Sequence, residues 1–253
     1  MFGSLGSSTS RGWRFRLLGF PVRVDLSFWI MAAVLGLRGG DAGLLAIWIG
    51  VVFVSILAHE LGHAAAGRAF GLRGQIELYS MGGMTTWSAP HRLRYGQDIL
   101  VSLAGPATGL AIGGAVWAVT HVVPLNGAFH VRVLIAYLLW VNIGWSLLNL
   151  LPLRPLDGGH VMTSAIHWVR GYENEALPIL ISVVVASAAV AAALLYRMFW
   201  AALLAAWFAF QNIRLARQQE HVAPRDMRIA KVVLLVVGAA VVALVIARQR
   251  GIL

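Results

Sequence analysis

Long runs of apolar residues alternate with short polar segments along most of the chain. A helix needs about 20 such residues to cross the hydrocarbon core of a bilayer. The pattern therefore predicts an all-α, polytopic membrane protein with six or seven transmembrane helices, the number depending on whether the two short runs cross completely. The predicted segments are 25–37, 42–66, 98–120, 132–153, 177–196, 198–212 and 230–247.

Two stretches have the pattern of β-hairpins. Residues 12–24 contain Gly-Phe-Pro between alternating side chains, and residues 75–87 have β-prone residues on both sides of Gly82 and Gly83. Glycines between such flanks are a hairpin signal. We expect small membrane-associated β-hairpins in both places. The second is either a plain surface hairpin or an edge strand close to a functional site.

Composition agrees with a membrane protein. Hydrophobic residues make up 59% of the chain and charged residues only 12%, whereas soluble domains carry about 25% charged residues. The chain has no cysteine, which excludes disulfides and thiolate metal ligands.

The net charge of +10 comes from basic residues that flank the apolar runs. Basic residues gather on the cytoplasmic side of membrane proteins. If all seven runs cross, most of the basic residues share a side with the N-terminus, which is then cytoplasmic. No basic stretch interleaved with aromatic residues lies outside these flanks, so we expect no binding of nucleic acid.

One acidic residue, Glu60, lies well inside an apolar run. A carboxylate there costs at least about 2.5–3.5 kcal/mol, so it needs a polar cavity, a partner or a metal. With His59 and His63 it forms the pattern His-Glu-x-x-His, in which the imidazoles share one helix face. Zinc suits two imidazoles and a carboxylate with a position left for water. The pattern predicts a zinc site with Glu60 as general base; the alternative is a polar cluster without metal.

A second polar site extends from Asn149 to His160, and within it Asp157 follows the fourth apolar run by a few residues. The second and fourth runs are predicted to cross the membrane in the same direction, so both end at the cytoplasmic face. Asp157 is therefore the candidate third zinc ligand; the alternative is an N-cap of the next helix. His160 is either a fourth ligand or, in the favoured interpretation, a residue with a local role.

Three glycines in the third apolar run, Gly105, Gly109 and Gly113, recur at intervals of four and share one helix face. Small residues at this spacing let another helix approach closely. We interpret them as packing residues and not as a ligand site.

The two polar motifs together resemble the paired signatures of the site-2 protease family of intramembrane zinc metalloproteases. The resemblance covers the second to fourth runs, from His59-Glu60-Leu61-Gly62-His63 to Asn149-Leu-Leu-Pro-Leu-Arg-Pro-Leu-Asp157-Gly158. It implies that His59, His63 and Asp157 hold one zinc ion per chain, that Glu60 is the general base, and that Asn149 helps to position the substrate or the reacting carbonyl.

The resemblance also implies that the hairpin at Gly82 and Gly83 pairs with an unwound substrate. The chain departs from the family pattern at Gly109, where the family often has asparagine. This difference puts a polar role at that position in doubt. The chain resembles compact bacterial members of the family, and we expect it to have neither an inserted PDZ domain nor an appended regulatory domain.

We therefore expect a single membrane-embedded metalloprotease domain over 1–253, with a catalytic core at about 42–160 and additional C-terminal helices at about 177–247. Its expected function is cleavage of membrane protein substrates in the lipid bilayer. The expected location is the bacterial inner membrane, with the active site near the cytoplasmic face. The alternatives are a transporter that moves ions or protons, and an inactive relative that binds its clients without cutting them.

Overall fold

The computed structural model describes residues 12–37, 41–88, 92–122, 129–173 and 175–219. The chain divides into two compact units. The first comprises Met1–Leu93 and Ala104–Leu147, and the second comprises Arg94–Leu103 and Leu148–Leu253.

Eight α-helices, four strands and one π-helical segment follow one another in the described residues. In chain order they are β1 (Gly12–Leu17), β2 (Phe20–Asp25), α1 (Leu26–Gly36), α2 (Ala42–Ala69), β3 (Arg73–Tyr79), β4 (Gly82–Ser88), α3 (Tyr95–Val122), α4 (Phe129–Leu139), the π-helix Trp140–Gly144, α5 (Trp145–Asn149), α6 (Asp157–Arg170), α7 (Ala176–Leu195) and α8 (Phe199–Gln219).

The described residues contain four helical segments that are long and apolar enough to cross a membrane: α2, α3, the continuous run Phe129–Asn149, and α7. The polytopic class is thus supported, whereas the described residues do not confirm the predicted count of six or seven crossings. Helix α1 is apolar but has only 11 residues, and α8 is not among the candidate spans. The seventh predicted segment, 230–247, lies outside the described residues.

The fourth predicted segment, 132–153, differs from the structure at both ends and in its regularity. The helix begins at Phe129, changes to π-helix at Trp140, and ends at Asn149. Its early end follows from Pro152, which cannot continue a regular helix. The π-helix was not predicted, because a π-helical turn inserts one residue without changing the apolar composition of the run.

Both predicted hairpins exist, and they join into one four-stranded sheet in the order β1-β2-β3-β4. The pairs β1–β2 and β3–β4 are antiparallel, whereas β2 and β3 pair in parallel, with Val22 opposite Ile76. The parallel pairing was not predicted, since it joins strands separated by two helices. It leaves β4 at one edge of the sheet.

The turn of the second hairpin is not where the glycines suggested. Ser80 and Met81 form the turn, and Gly82 and Gly83 begin β4. Gly82 has a φ of 121°, a backbone conformation that favours glycine. The prediction of a turn at the glycine pair was therefore wrong by two residues, although the hairpin itself is confirmed.

The core of the first unit forms where the sheet meets α1 and α2. Alternate side chains of β2 and β3 are almost completely buried, together with residues on one face of α2. This alternation is what the period of two in a strand requires when one face of a sheet is covered. Buried members of this cluster include Val22, Val24, Ile76, Leu78, Val52 and Ile56.

Candidate metal centre

Helix α2 places the His-Glu-x-x-His motif in its C-terminal half. The helix begins after Asp41, whose carboxylate accepts hydrogen bonds from the backbone N–H groups of Gly43 and Leu44 at 2.7 Å and 3.1 Å. It then runs for 28 residues without interruption. Because the helix is regular, the residues four positions apart in the motif lie on the same helix face, as the sequence predicted.

The two imidazoles point at one place. Nε2 of His59 lies 3.2 Å from Nε2 of His63, and the two ring centroids are 4.9 Å apart. His59, Glu60 and His63 are buried, with exposed fractions of 4%, 5% and 7%. In the part of the chain that the structure describes, they form the one group of three or more potential ligands whose ligand atoms lie within 4.8 Å of one another.

Helix α3 borders this group through Gly105. A Cβ atom at this position would overlap with Nε2 of His63 and lie 2.7 Å from Nε2 of His59. The absent side chain therefore leaves space directly in front of both ring nitrogens. This cradle and the two imidazoles beside it fit the nitrogen donors and the room that zinc requires.

The other two glycines of the series spaced four residues apart, Gly109 and Gly113, pack against the helical run Phe129–Asn149. A Cβ at Gly109 would overlap with Oγ of Ser146, and one at Gly113 would overlap with the side chain of Ile143. The interpretation of these glycines as packing residues agrees with the structure, and Gly105 serves the histidine pair in addition.

Strand β4 holds the carboxylate of Glu60. The hydroxyl of Thr85 donates a hydrogen bond of 2.7 Å to Oε2 of Glu60. On the same strand, a Cβ at Gly83 would lie 2.5 Å from Oε1, so this glycine lets the strand approach the carboxylate. The carboxylate is thus oriented by a hydroxyl and a backbone surface that belong to one strand.

The charge of Glu60 also acts on the end of β3. Burial raises the pKa of the Tyr79 phenol, and the negative charges of Glu60 and Glu77 raise it further. Both effects disfavour the phenolate, because it would be a second negative charge in a poorly solvated place. Tyr79 therefore stays neutral beside the carboxylate.

The second unit carries the other predicted site residues. Asn149 is the last residue of α5 and is buried, with 9% of its surface exposed. Asp157 is the first residue of α6, and Leu156 occupies the N-cap position. The alternative interpretation of Asp157 as an N-cap is therefore wrong by one position. His160 is exposed on the first turn of α6.

The turn between Asn149 and Asp157 is compact. A Cβ at Gly158 would overlap with the carbonyl of Leu150, and one at Gly159 would lie 2.6 Å from the carbonyl carbon of Leu153. The glycine pair predicted to allow a tight turn does so by lying against the backbone before it. The joint ligand set of His59, His63 and Asp157 remains a prediction.

Two kinds of site residue were missed from the sequence. Thr85 could have been found from its alternating position on β4, but only once the contact of that strand with α2 was known. The buried pair Ser55 and Asn142 was also missed: Nδ2 of Asn142 donates to Oγ of Ser55 at 2.9 Å, one turn before His59 on α2. Thr85, Ser55 and Asn142 are polar residues in apolar or β-prone runs, and none of them belongs to a spaced motif that the sequence would reveal.

Comparison with known proteins points to one family. A model of "Peptidase family M50" matches residues 122–191, a stretch that includes Asn149 and Asp157 and follows the histidine pair. The chain is 27% identical, over 78% of its own length, to "Putative zinc metalloprotease sll0528" of Synechocystis, and 24% identical, over 62% of its length, to "Zinc metalloprotease MJ0392" of Methanocaldococcus jannaschii.

The fold matches a solved structure, "Site-2 Protease from Methanocaldococcus jannaschii", with a TM-score of 0.55 and 21% sequence identity over 81% of this chain and 94% of that chain. These comparisons confirm the resemblance to the site-2 protease family, and with the apolar helices they support an integral membrane protein. The chain spans about half the length of the curated relatives, 57% of the Synechocystis protein and 46% of MJ0392.

Proposed function

We propose that this protein is an intramembrane zinc metalloendopeptidase that cleaves membrane-embedded or membrane-tethered proteins. The observation that carries the proposal is a buried carboxylate, Glu60, beside two imidazoles with converging nitrogens on a helix apolar enough to span a bilayer. The two relatives described above are both named zinc metalloproteases, which supports the same function.

We propose Asp157 as the third zinc ligand, beside His59 and His63. Support comes from its place at the start of α6 and from the family resemblance of the motif around it. Zinc would polarise the carbonyl of the scissile bond and lower the pKa of water toward about 7.

Glu60 then accepts a proton from the attacking water and returns one to the leaving amine. Thr85 orients that carboxylate, because its hydroxyl donates to one of the two carboxylate oxygens. Asn149, the last residue of the helical run Phe129–Asn149, is proposed to position the substrate, on the strength of the family motif.

Strand β4 is the proposed substrate-binding edge. A helix hides its peptide carbonyls in internal hydrogen bonds, so a substrate must unwind before it is cut. An extended substrate can add to the free edge of a sheet through main-chain hydrogen bonds, with tolerance for varied side chains. Strand β4 lies at such an edge, and the same strand contacts the carboxylate of Glu60.

Proline removes a main-chain donor from a strand. Proline placed singly at Met84, Thr85 and Thr86 should reduce cleavage sharply at the edge positions that donate, with zinc content unchanged. Alanine at Met84 and Thr86 keeps the donor and should have a smaller effect, whereas Thr85→Ala also removes the hydroxyl that donates to Glu60. Wild-type cleavage rates in all three folded, zinc-loaded proline variants would exclude β4 as the substrate edge.

The proposed setting is the bacterial inner membrane, with the active site near the cytoplasmic face and the whole chain, 1–253, acting as one membrane-embedded domain. The distribution of basic residues at the ends of the apolar runs supports this orientation. A membrane protein substrate and the lipid bilayer are the proposed partners, and nucleic acid is not.

The experiment that tests the function compares membrane proteomes from cells that express the wild-type enzyme, Glu60→Gln or Glu77→Gln. Removing a general base typically costs about 10²–10⁴-fold in rate, so substrate fragments should disappear with Glu60→Gln. Glu77, a half-exposed acid on β3, is the matched control and should leave them unchanged. Fragments that persist with Glu60→Gln would refute the proposed role of Glu60.

A further inference from the structure

The turn that leads to Asp157 is held at one residue, Arg154, by two helices that come later in the chain. The backbone N–H of Arg154 donates a 3.1 Å hydrogen bond to Oγ of Ser182 on α7. Its backbone carbonyl accepts a 2.7 Å hydrogen bond from Nδ2 of Asn212 on α8. The backbone N–H and the backbone carbonyl of Arg154 are thus both hydrogen-bonded to side chains that are distant in sequence.

The two side chains that make these bonds are completely enclosed. The exposed fraction of Ser182 is 0%, and that of Asn212 is 1%. Burying such groups in apolar helices is unfavourable unless they form hydrogen bonds. Non-helical backbone at membrane depth likewise needs partners from the protein. Oγ of Ser182 and Nδ2 of Asn212 meet both needs, because their partner is the backbone of the turn.

The side chain of Arg154 adds a third attachment. Its guanidinium forms an ion pair with the carboxylate of Glu175, which occupies the N-cap position of α7. The residue before it, Leu153, is almost completely buried, with 2% of its surface exposed. Arg154 is therefore fixed through its backbone, its side chain and its neighbour.

The attachments of Arg154 also restrict the position of Asp157. Only Pro155 and Leu156 lie between the two, and the backbone N–H of Leu156 donates to the carbonyl of Leu153 at 2.8 Å. The first turn of α6 then lies against the preceding backbone through Gly158. The start of α6 therefore takes its position from the turn.

We propose that Ser182 and Asn212 are positioning residues that hold the turn 150–156 and thereby aim the carboxylate of Asp157. This inference rests on the proposed function, in which Asp157 is a zinc ligand. Metal–ligand distances tolerate only about 0.2 Å, so a ligand at the end of an irregular turn requires support of this kind. Helices α7 and α8 are then part of the metal-binding apparatus.

The test uses the full-length protein and the variants Ser182→Ala and Asn212→Leu. Ser182→Ala removes only the acceptor oxygen, and Asn212→Leu removes the donor while keeping a side chain of similar size. Matched controls on the same helices are Ser187→Ala, whose hydroxyl bonds to the Val183 carbonyl of its own helix, and Gln211→Leu.

Backbone hydrogen–deuterium exchange over residues 148–160 is the first readout, and the rate of zinc release to a chelator is the second. Loss of one hydrogen bond should speed exchange in the turn about five- to tenfold. Zinc release should accelerate and cleavage should fall in the same two variants. Exchange in α2 and both control variants should remain as in the wild type, which separates this effect from general unfolding.

Unchanged exchange over the turn in both variants would overturn the inference. Faster exchange with wild-type zinc release and cleavage would also overturn it, because the turn would then be held without any consequence for the metal. A wild-type protein that holds no zinc would instead refute the proposed function, and the exchange data alone would still decide whether Ser182 and Asn212 hold the turn.

Discussion

The histidine pair and the turn before Asp157 are positioned in opposite ways. His59 and His63 lie four residues apart on one uninterrupted helix, so local helix geometry brings their nitrogens together. The turn around Arg154 is irregular and depends on partners 28 and 58 residues away in sequence. The proposed zinc site, with ligands from both regions, would be sensitive to contacts next to the histidines and to contacts on remote helices.

The largest effect is expected from Gly105→Ala, a change on α3 that would crowd the histidine pair of α2. The added Cβ would overlap with the imidazole of His63 and crowd that of His59. Both nitrogens would have to move, and the protein should lose most of its zinc and its cleavage activity. Zinc per chain, measured by elemental analysis, checks this.

Gly114→Ala is the control for Gly105→Ala, since a Cβ at Gly114 on the same helix meets nothing within 4 Å. This variant should retain its zinc. Full zinc occupancy in Gly105→Ala would show that the close approach of α3 does not determine the histidine pair.

Asp157→Ala removes the carboxylate presented by the remotely supported region and should have the next largest effect. Two of the three proposed ligands remain, so zinc should bind more weakly without loss of the fold. Competition with a chelator measures the change, and thermal unfolding without zinc should match the wild type. Wild-type zinc affinity would show that the turn does not supply the third ligand, and the contrast between the two regions would lose its functional meaning.

Thr85→Val should have the smallest effect, on cleavage alone. It removes the hydroxyl that donates to Glu60 but preserves the shape of the side chain and the backbone N–H. A hydrogen bond to a charged group contributes about 1.5–3 kcal/mol, so we expect kcat to fall about tenfold or more, with unchanged zinc content.

Thr86→Val is the matched control for Thr85→Val, because the hydroxyl of Thr86 is exposed and bonds to the carbonyl of Gln75. The two variants differ by one position on the same strand. Equal activities in both would mean that Thr85 does not orient the carboxylate.

The features that sequence reasoning predicted correctly depend on contacts between near neighbours in the chain. The histidine pair, the apolar helices and both hairpins are of this kind. The errors occurred where distant segments meet. The turn was predicted at Gly82 and Gly83, because glycine pairs are common in hairpin turns, but it lies at Ser80 and Met81. Gly83 has a different role: it allows the close approach of β4 to Glu60.

The sequence by itself determined the membrane class, the spacing of His59 and His63, and the presence of one buried acid between them. These depend on helix periodicity and on the cost of placing charge in lipid, which act over a few residues. Only the tertiary structure decided that the hairpins share one sheet, that Thr85 holds Glu60, and that Ser182 and Asn212 hold the turn before Asp157. Isolated polar residues in apolar helices have no periodicity, and their partners become known only when the helices pack.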